Sequence, residues 1–289
     1  MVDLASAPIG VFDSGLGGLS VLTHLQRRLP FERYIYLADT LHVPYGSRSE
    51  AEIRELTLQA VAWLHSQGCK LIVIACNSAS AHGLQAARRQ YPQVPIVGLV
   101  PALKPAVMQS ATKQVAVLAT PATLHGYLLN EVIEQVAKPQ QVTVHKYSFN
   151  SLVPWVELGM PSHHPAVTDL DHLLSELQAK KVDQLVLGCT HFPFFKAYLA
   201  QRIDELMTHQ AMGQVALIDS GDAIAKRVHD LLEQANQLAS HKERPRLQFY
   251  ATANLPTTEQ AATRLLQRFL PELGIDFFTL CVTQHRAVY

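Results

Sequence analysis

Short apolar runs alternate along the chain with longer stretches of helical periodicity, the rhythm of βαβ units and parallel sheets. In the first half the runs are Ile9–Phe12, Tyr34–Leu37, Leu71–Ala75 and Pro95–Leu99. In the second they are Gln114–Ala119, Gln141–His145, Gln184–Leu187 and Val215–Ile218. Taken in order, the two sets keep similar spacing, with an offset that drifts from a little over 100 residues to about 120. An internal duplication of one α/β unit accounts for this, the second copy having longer connections. Alternation alone is common to all α/β chains. Ser49 and Glu52 form a capping-box signature before Ile53, Leu56, Ala60, Val61 and Leu64, and Gly68 closes that helix.

Two of the runs end alike. Ile72-Val73-Ile74-Ala75 leads into Cys76-Asn77-Ser78, and Leu185-Val186-Leu187-Gly188 leads into Cys189-Thr190-His191. Each cysteine falls where a buried parallel strand emerges at its carboxyl end, the edge at which open α/β sheets place their chemistry. This repeated position lifts the duplication above bare alternation. Two thiols facing each other across a cleft suit a reaction that needs a base on one side of an atom and an acid on the other. Pro101 and Pro105 flank a hinge around Val100–Lys104. Residues 1–100 and 214–289 are expected to form one α/β domain and residues 101–213 the other. After Gly213 the chain would return to the first domain, which Val215–Ile218, a strand near Gln248–Ala251 and a helix over about Thr258–Leu270 would complete.

The 289 residues are 48% hydrophobic and 17% charged, enough for two ordinary domains with real cores. Lys plus Arg and Asp plus Glu both number 24, a balance that argues against a nucleic-acid or anionic-membrane partner. No apolar stretch approaches the roughly 20 residues that span a bilayer. The start, Met1–Pro8, lacks the basic-then-apolar plan of a signal peptide. A soluble cytoplasmic protein is expected. The four cysteines, Cys69, Cys76, Cys189 and Cys281, include no Cys-x-x-Cys pair, so thioredoxin-like redox and zinc-ribbon readings have no support. Cys69 and Cys281 read as structural thiols.

Four segments could carry chemistry. Asp13-Ser14-Gly15-Leu16-Gly17-Gly18 follows the first strand; its glycines permit close backbone approach and the next helix offers free N–H groups. It is neither a Walker A loop nor a full dinucleotide fingerprint. Asp13 reads either as a helix cap or as a carboxylate placed to assist a neighbour. After Ala38-Asp39-Thr40, the turn Pro44-Tyr45-Gly46 on the second loop offers Tyr45 and Gly46 as substrate contacts. Asn77 and Ser78 supply an amide, a hydroxyl and backbone donors suited to a substrate carboxylate. His191, two residues beyond Cys189, shares its face if the segment is extended. There it can act as a general acid or support a thiolate. A metal at Cys76, Cys189 and His191 lacks the usual ligand spacing. Glu157, in Val153-Pro154-Trp155-Val156-Glu157, reads by itself as a surface helix residue.

Asp13–Gly18, Pro44–Gly46, Ala75–Ala79 and Gly188–Pro193, in that order, resemble the cofactor-independent glutamate racemases of bacterial cell-wall synthesis. The resemblance runs from Ile9 to about Ile224 and takes in Thr120 and Thr123 after the fifth strand. It implies two α/β domains related by pseudo-two-fold symmetry, with glutamate held in the cleft between them and no cofactor or metal. It implies that Cys76 and Cys189 are the catalytic acid/bases, Cys76 acting on D-glutamate and Cys189 on L-glutamate, assisted by Asp13 and His191. Asp13, Ser14, Tyr45, Gly46, Asn77, Ser78, Thr120, Thr123, Thr190 and His191 would line the substrate site. Glu157 matches a Pro-x-Val-Glu segment whose carboxylate lies near the histidine, although Tyr147–Asn150 just before it departs from the common Ala-Cys-Pro. Ser78 stands where threonine is common. Family members are usually homodimers. An aspartate racemase is the neighbouring alternative, disfavoured by His191, where those enzymes usually carry Glu. A one-thiol hydrolase or peroxidase and a non-catalytic anion-binding module are the readings from other classes.

Overall fold

Val11, Phe12, Ile72, Val73 and Ile74 are all fully buried, as befits strands covered by helices on both faces. The computed structural model describes residues 4–208, 213–239, 244–253 and 255–280; Cys281 lies outside them. The elements in order are β1 (Ile9–Asp13), α1 (Leu19–Arg28), β2 (Tyr34–Ala38), α2 (Glu50–Ser66), β3 (Leu71–Ile74), α3 (Asn77–Gln90) and β4 (Ile96–Gly98). Then come α4 (Leu103–Gln109), β5 (Gln114–Leu118), α5 (Pro121–His125), α6 (Tyr127–Val132), β6 (Thr143–Tyr147), α7 (Leu152–Glu157), α8 (Pro165–Ala179), β7 (Gln184–Leu187), α9 (Lys196–Thr208) and β8 (Ala216–Ile218). The remaining elements among the described residues are α10 (Gly221–Gln234), β9 (Leu247–Ala251), α11 (Leu255–Gln267) and β10 (Ile275–Thr279).

These strands build two parallel sheets, one ordered β10-β9-β2-β1-β3-β4 and the other β6-β5-β7-β8. The block β2-β1-β3-β4 in the first has the same order as the whole of the second, so the duplication inferred from spacing is also one of topology. Within each copy the cysteine holds the same register. Phe12 pairs with Ile74 and Ala75 N–H donates to Phe12 O at 2.6 Å; Leu118 pairs with Leu187 and Gly188 N–H donates to Leu118 O at 2.8 Å. Cys76 and Cys189 each come one residue after that donor. By the same register Ala119 stands where Asp13 stands in the first copy.

Alternation along the strands sorts side chains into cores. Ile9, Val11, Leu71 and Val73 face one cluster, while Phe12, Ile72 and Ile74 face another against α2 and α3. The first cluster continues without a break through Ala116, Leu118, Leu185 and Leu187 of the second sheet, so the two halves share one apolar interior. The capping box forms as expected, with Glu52 N–H donating to Ser49 Oγ and Ser49 N–H to Glu52 Oε2. Gly68 closes α2 at φ +75°, a left-handed geometry suited to glycine.

Three expectations shift. The spacing places Val215–Ile218 in the first domain, but β8 pairs with β7 in the second sheet. Gly213 looks like a break, yet the chain must first cover the outer edge of β7, as β4 covers β3, before it crosses back at Asp219–Gly221. The sixth strand starts at Thr143 instead of Gln141, because Gln141 sits at φ +57° and ends a helical turn. Beyond the last helix a further strand, β10, pairs with β9 at the edge of the first sheet, where the sequence pattern predicts none. The two segments by which the chain passes between halves are fastened together, Ser220 Oγ donating to Val100 O at 2.8 Å.

Candidate active site

Each cysteine begins a turn that its own strand has delivered to the cleft. Cys76 caps α3, its sulfur accepting from Ala79 N–H at 3.4 Å. Ser14 Oγ lies 3.6 Å from the same sulfur and donates to Asp13 Oδ1 at 3.4 Å. Burial, then the nearby Asp13 charge, pushes the Cys76 thiol up to about 12. Asp13 is not the cap of α1, whose N-cap is Gly18 without a side-chain bond; its carboxylate gathers the turn that leads into the helix. Gly15 and Gly18 N–H groups donate to its carboxylate at 3.2 and 2.8 Å, and Thr190 Oγ1 reaches it from the other half at 3.3 Å. Burial raises its carboxyl above the ordinary range, against the pull of His191 and the two backbone donors.

The Cys189 side is built differently. Cys189 Sγ lies 4.0 Å from His191 Nδ1, and His191 Nε2 lies 3.0 Å from Glu157 Oε1 at the end of α7. The segment is not extended: His191 is helical, at φ −76° and ψ −25°, and opens a short turn over Phe192–Phe195. The turn, and not strand alternation, brings imidazole and sulfur together. Burial works against a charged His191, but contacts with Cys189 and Glu157 outweigh it and raise the imidazole to about 10. When protonated it offers a cation and an N–H to the Cys189 sulfur. Glu157, no mere surface residue, is the outer member of this line. Ser20 Oγ anchors the turn by donating to Thr190 O at 2.7 Å. Cys76, Cys189 and Cys69 are free thiols. Burial raises Cys69 to about 12, in keeping with an inert packing role.

Both sulfurs line one cavity of about 40 Å³. Its wall also includes Ser14, Tyr45, Gly46, Asn77, Ser78, Thr120, Thr123, Thr190 and His191, all of them singled out from the sequence. Asp13 and Glu157 stand one contact behind. Ser78, Thr120 and Thr123 form a hydroxyl trio across the two halves, with Ser78–Thr120 at 2.9 Å and Thr120–Thr123 at 3.0 Å. Asn77 Oδ1 is buried and has no hydrogen-bond partner among the described residues, an acceptor left for a ligand's N–H. The Tyr45 hydroxyl is committed to Asp39, donating to Oδ2 at 2.6 Å. Sequence reading missed Val43, Pro44 and Val153 in the wall. Apolar residues on loops give no periodic or chemical signal. A void of this size admits a few waters, and its walls come from both halves of the chain.

Repeated α/β units presenting two free thiols and an imidazole to one cavity, with a carboxylate one contact behind on each side, define a two-domain enzyme of acid–base chemistry on a small molecule. The chain belongs to the Asp/Glu/Hydantoin racemase family, whose model matches residues 9–228. The glutamate racemase of Deinococcus radiodurans is 44% identical over 272 residues, 94% of this chain and 89% of that one. The fold is similar to that of Francisella tularensis glutamate racemase in complex with D-glutamate, with a TM-score of 0.80 and 29% identity over 96% of this chain and 98% of that one. It is also similar to Escherichia coli glutamate racemase in complex with L-glutamate and the activator UDP-MurNAc-ala, with a TM-score of 0.73 and 33% identity over 94% and 97%. Among the described residues no helix is long and apolar enough to cross a membrane.

Proposed function

We propose that this enzyme interconverts L- and D-glutamate without a cofactor, taking the α-proton from one face and returning one to the other. What carries the reading is that Cys76 and Cys189, at equivalent strand ends, line the same cavity. One sulfur acts as thiolate base and the other as thiol acid, and they exchange roles with the handedness of the substrate. Cys76 deprotonates D-glutamate and Cys189 L-glutamate. For Cys76 this requires that the bound ligand's ammonium, with the Ala79 and Ser14 donors, bring the thiol below the value that burial and Asp13 give it in the free protein. His191, held by Glu157, supports the charge on Cys189. Asp13 acts on Cys76 through Ser14. The hard step is the carbanion at Cα. Donors around the cavity stabilise the charge that develops on the α-carboxylate, and exclusion of water strengthens them. Holding base and acid about 3–3.5 Å from Cα supplies a large further share. The hydroxyl trio offers donors to a second carboxylate, and Asn77 Oδ1 an acceptor to the ammonium. The product would serve peptidoglycan synthesis in the cytoplasm, with the enzyme a homodimer.

The test is to incubate purified protein with L-glutamate in D₂O, with no additive, and follow optical rotation and deuterium at Cα. Decay of rotation with deuterium incorporation supports the reading; folded protein that produces neither overturns it. The same measurement with aspartate separates the neighbouring specificity.

A methyl group at Gly17 would lie 2.3 Å from Thr190 Oγ1 and 2.5 Å from His191 Nδ1. Gly17→Ala is therefore expected to displace both and lower kcat by roughly a hundredfold, since an ångström of misplacement costs about that, while circular dichroism shows the fold retained.

Alkali should loosen the protein through the same site. His191 is raised from its ordinary 6.5 to about 10, so its contribution is complete below pH 6.5 and is lost as pH rises through about 10. The folded Cys76 thiol keeps its proton to about 12 while the unfolded one releases it near 9.0, so the native state again holds more protons and stability falls with pH. The melting temperature is expected to decline between pH 7 and 10.5, and His191→Asn should flatten that decline. An unchanged slope in the variant would contradict it.

A further inference from the structure

Thr252 lies outside residues 9–228, the span of the family match, yet its side chain belongs to the frame of the site. Asp39, just beyond β2, is 7% exposed, and its carboxylate gathers three side chains. Tyr45 donates its hydroxyl to Oδ2 at 2.6 Å, Thr252 donates to Oδ1 at 2.9 Å, and His42 Nδ1 lies 2.9 Å from Oδ1. The Thr252 hydroxyl also accepts from the Leu41 N–H at 2.9 Å, and Thr40 Oγ1 both donates to Ala253 O and accepts from Ala253 N–H. The loop from β2 to α2 is thus stapled to the carboxyl end of β9, more than 200 residues away in sequence.

That loop brings Val43, Pro44, Tyr45 and Gly46 to the cavity wall. Gly46 sits so close to Thr120 that a methyl group on it would lie 2.9 Å from Thr120 Cβ. The height of the loop therefore fixes the distance between its rim and the hydroxyl trio. Tyr45 has one hydroxyl proton, and burial together with the Asp39 charge pushes its ionisation far above the ordinary range. It remains a donor, committed to Asp39. Hydrogen bonds to a buried carboxylate are stronger than neutral ones, and removing one partner leaves the rest poorly compensated.

We propose that Asp39 is a positioning residue, with Thr252 as its outer partner, and that together they set the Tyr45–Gly46 rim against Thr120 and so determine how tightly the cavity grips its amino-acid ligand. The ligand's identity rests on the glutamate reading above. Neither residue reaches the reacting atoms, so the effect falls on binding more than on proton transfer. Asp39→Asn is expected to raise KM for glutamate about tenfold or more, the worth of a charge-assisted hydrogen bond, with kcat changed by less than about threefold. Tyr45→Phe removes the bond that Asp39→Asn weakens, so the double variant should fall short of the product of the two singles. Thr252→Val should raise KM, and Thr252→Ser, which keeps the hydroxyl, should restore it.

The experiment measures kcat and KM for both enantiomers, glutamate affinity by calorimetry, and melting temperature for wild type and these variants. Raised KM and Kd with near-normal kcat, an Asp39–Tyr45 coupling and rescue by serine support the proposal. Variants that lose only kcat and melting temperature, with KM and Kd unchanged, overturn it and reduce Asp39 to a purely structural residue. Wild-type protein that neither binds glutamate nor exchanges its α-proton overturns the glutamate reading itself and this proposal with it, so the two failures are distinguishable.

Discussion

Cys76→Ala and Cys189→Ala are each expected to abolish racemisation of both enantiomers, with rates at least about a thousandfold below wild type. Either direction needs both sulfurs, one to remove the proton and one to supply its replacement, so loss of either closes the whole cycle. A hydrolase or peroxidase working through one thiol would lose activity in one variant and keep it in the other. Because Cys76 also caps α3, its alanine variant gives up about 1 kcal/mol of helix stability, too little to unfold a protein of this size. Serine in either place keeps a hydrogen-bonding atom of similar shape but a far weaker acid. Cys76→Ser and Cys189→Ser should remain folded and slow racemisation by roughly 10²–10⁴. Polarimetry on both enantiomers, with melting curves for each variant, checks this. Full racemisation by either alanine variant would dismiss the paired-thiol mechanism.

The largest expected loss of stability is far from the cleft. Lys70 has no exposed side-chain surface, and its ammonium lies 2.6 Å from Glu32 Oε2, itself on a side chain 2% exposed. It also donates to Ala5 O at 2.8 Å and Gln237 O at 2.7 Å. Glu32 Oε1 accepts from Ala239 N–H at 2.8 Å, and Oε2 has no partner among the described residues other than the ammonium. The cluster ties the start of the chain, the entry to β3 and the end of α10 into one knot. Lys70→Ala leaves a buried carboxylate without a counter-charge and removes the ammonium that donates to the Ala5 and Gln237 carbonyls. It is expected to cost about 3–5 kcal/mol and lower the melting temperature by roughly 10 °C. Lys70→Met combined with Glu32→Gln removes both charges together and should cost clearly less. Denaturant titration of the three proteins measures the difference, and equal losses would mean that packing, not charge, holds the knot.

How much of this could be read from the chain follows from the range of each interaction. The strands announced themselves because burial on both faces demands continuous apolar residues, and Leu71–Ile74 and Gln184–Leu187 were found close to their true bounds. The paired cysteines were legible because a duplication repeats its register, and Ser49 with Glu52 because a capping box is local. Glu157 had no signal of its own. Its meaning comes from His191, 34 residues away, and only the resemblance pointed to it. Asp39 was noticed without a role, since its partner Thr252 sits 213 residues further on. The sheet to which β8 belongs is likewise a matter of which edge lies open in space, which residue types alone do not record.

Ala119 in the place of Asp13 has a thermodynamic side. The two hands of glutamate have equal free energy, so the ratio of forward to reverse kcat/KM is fixed at unity whatever stands beside each sulfur. Dissimilar attendants, Asp13 with Ser14 on one flank and His191 with Glu157 on the other, cannot tilt that balance. They can only decide at what concentration each enantiomer saturates the enzyme and how fast it then turns over. A cell could therefore retune its throughput of one mirror form by altering a single flank, while the final mixture stays racemic.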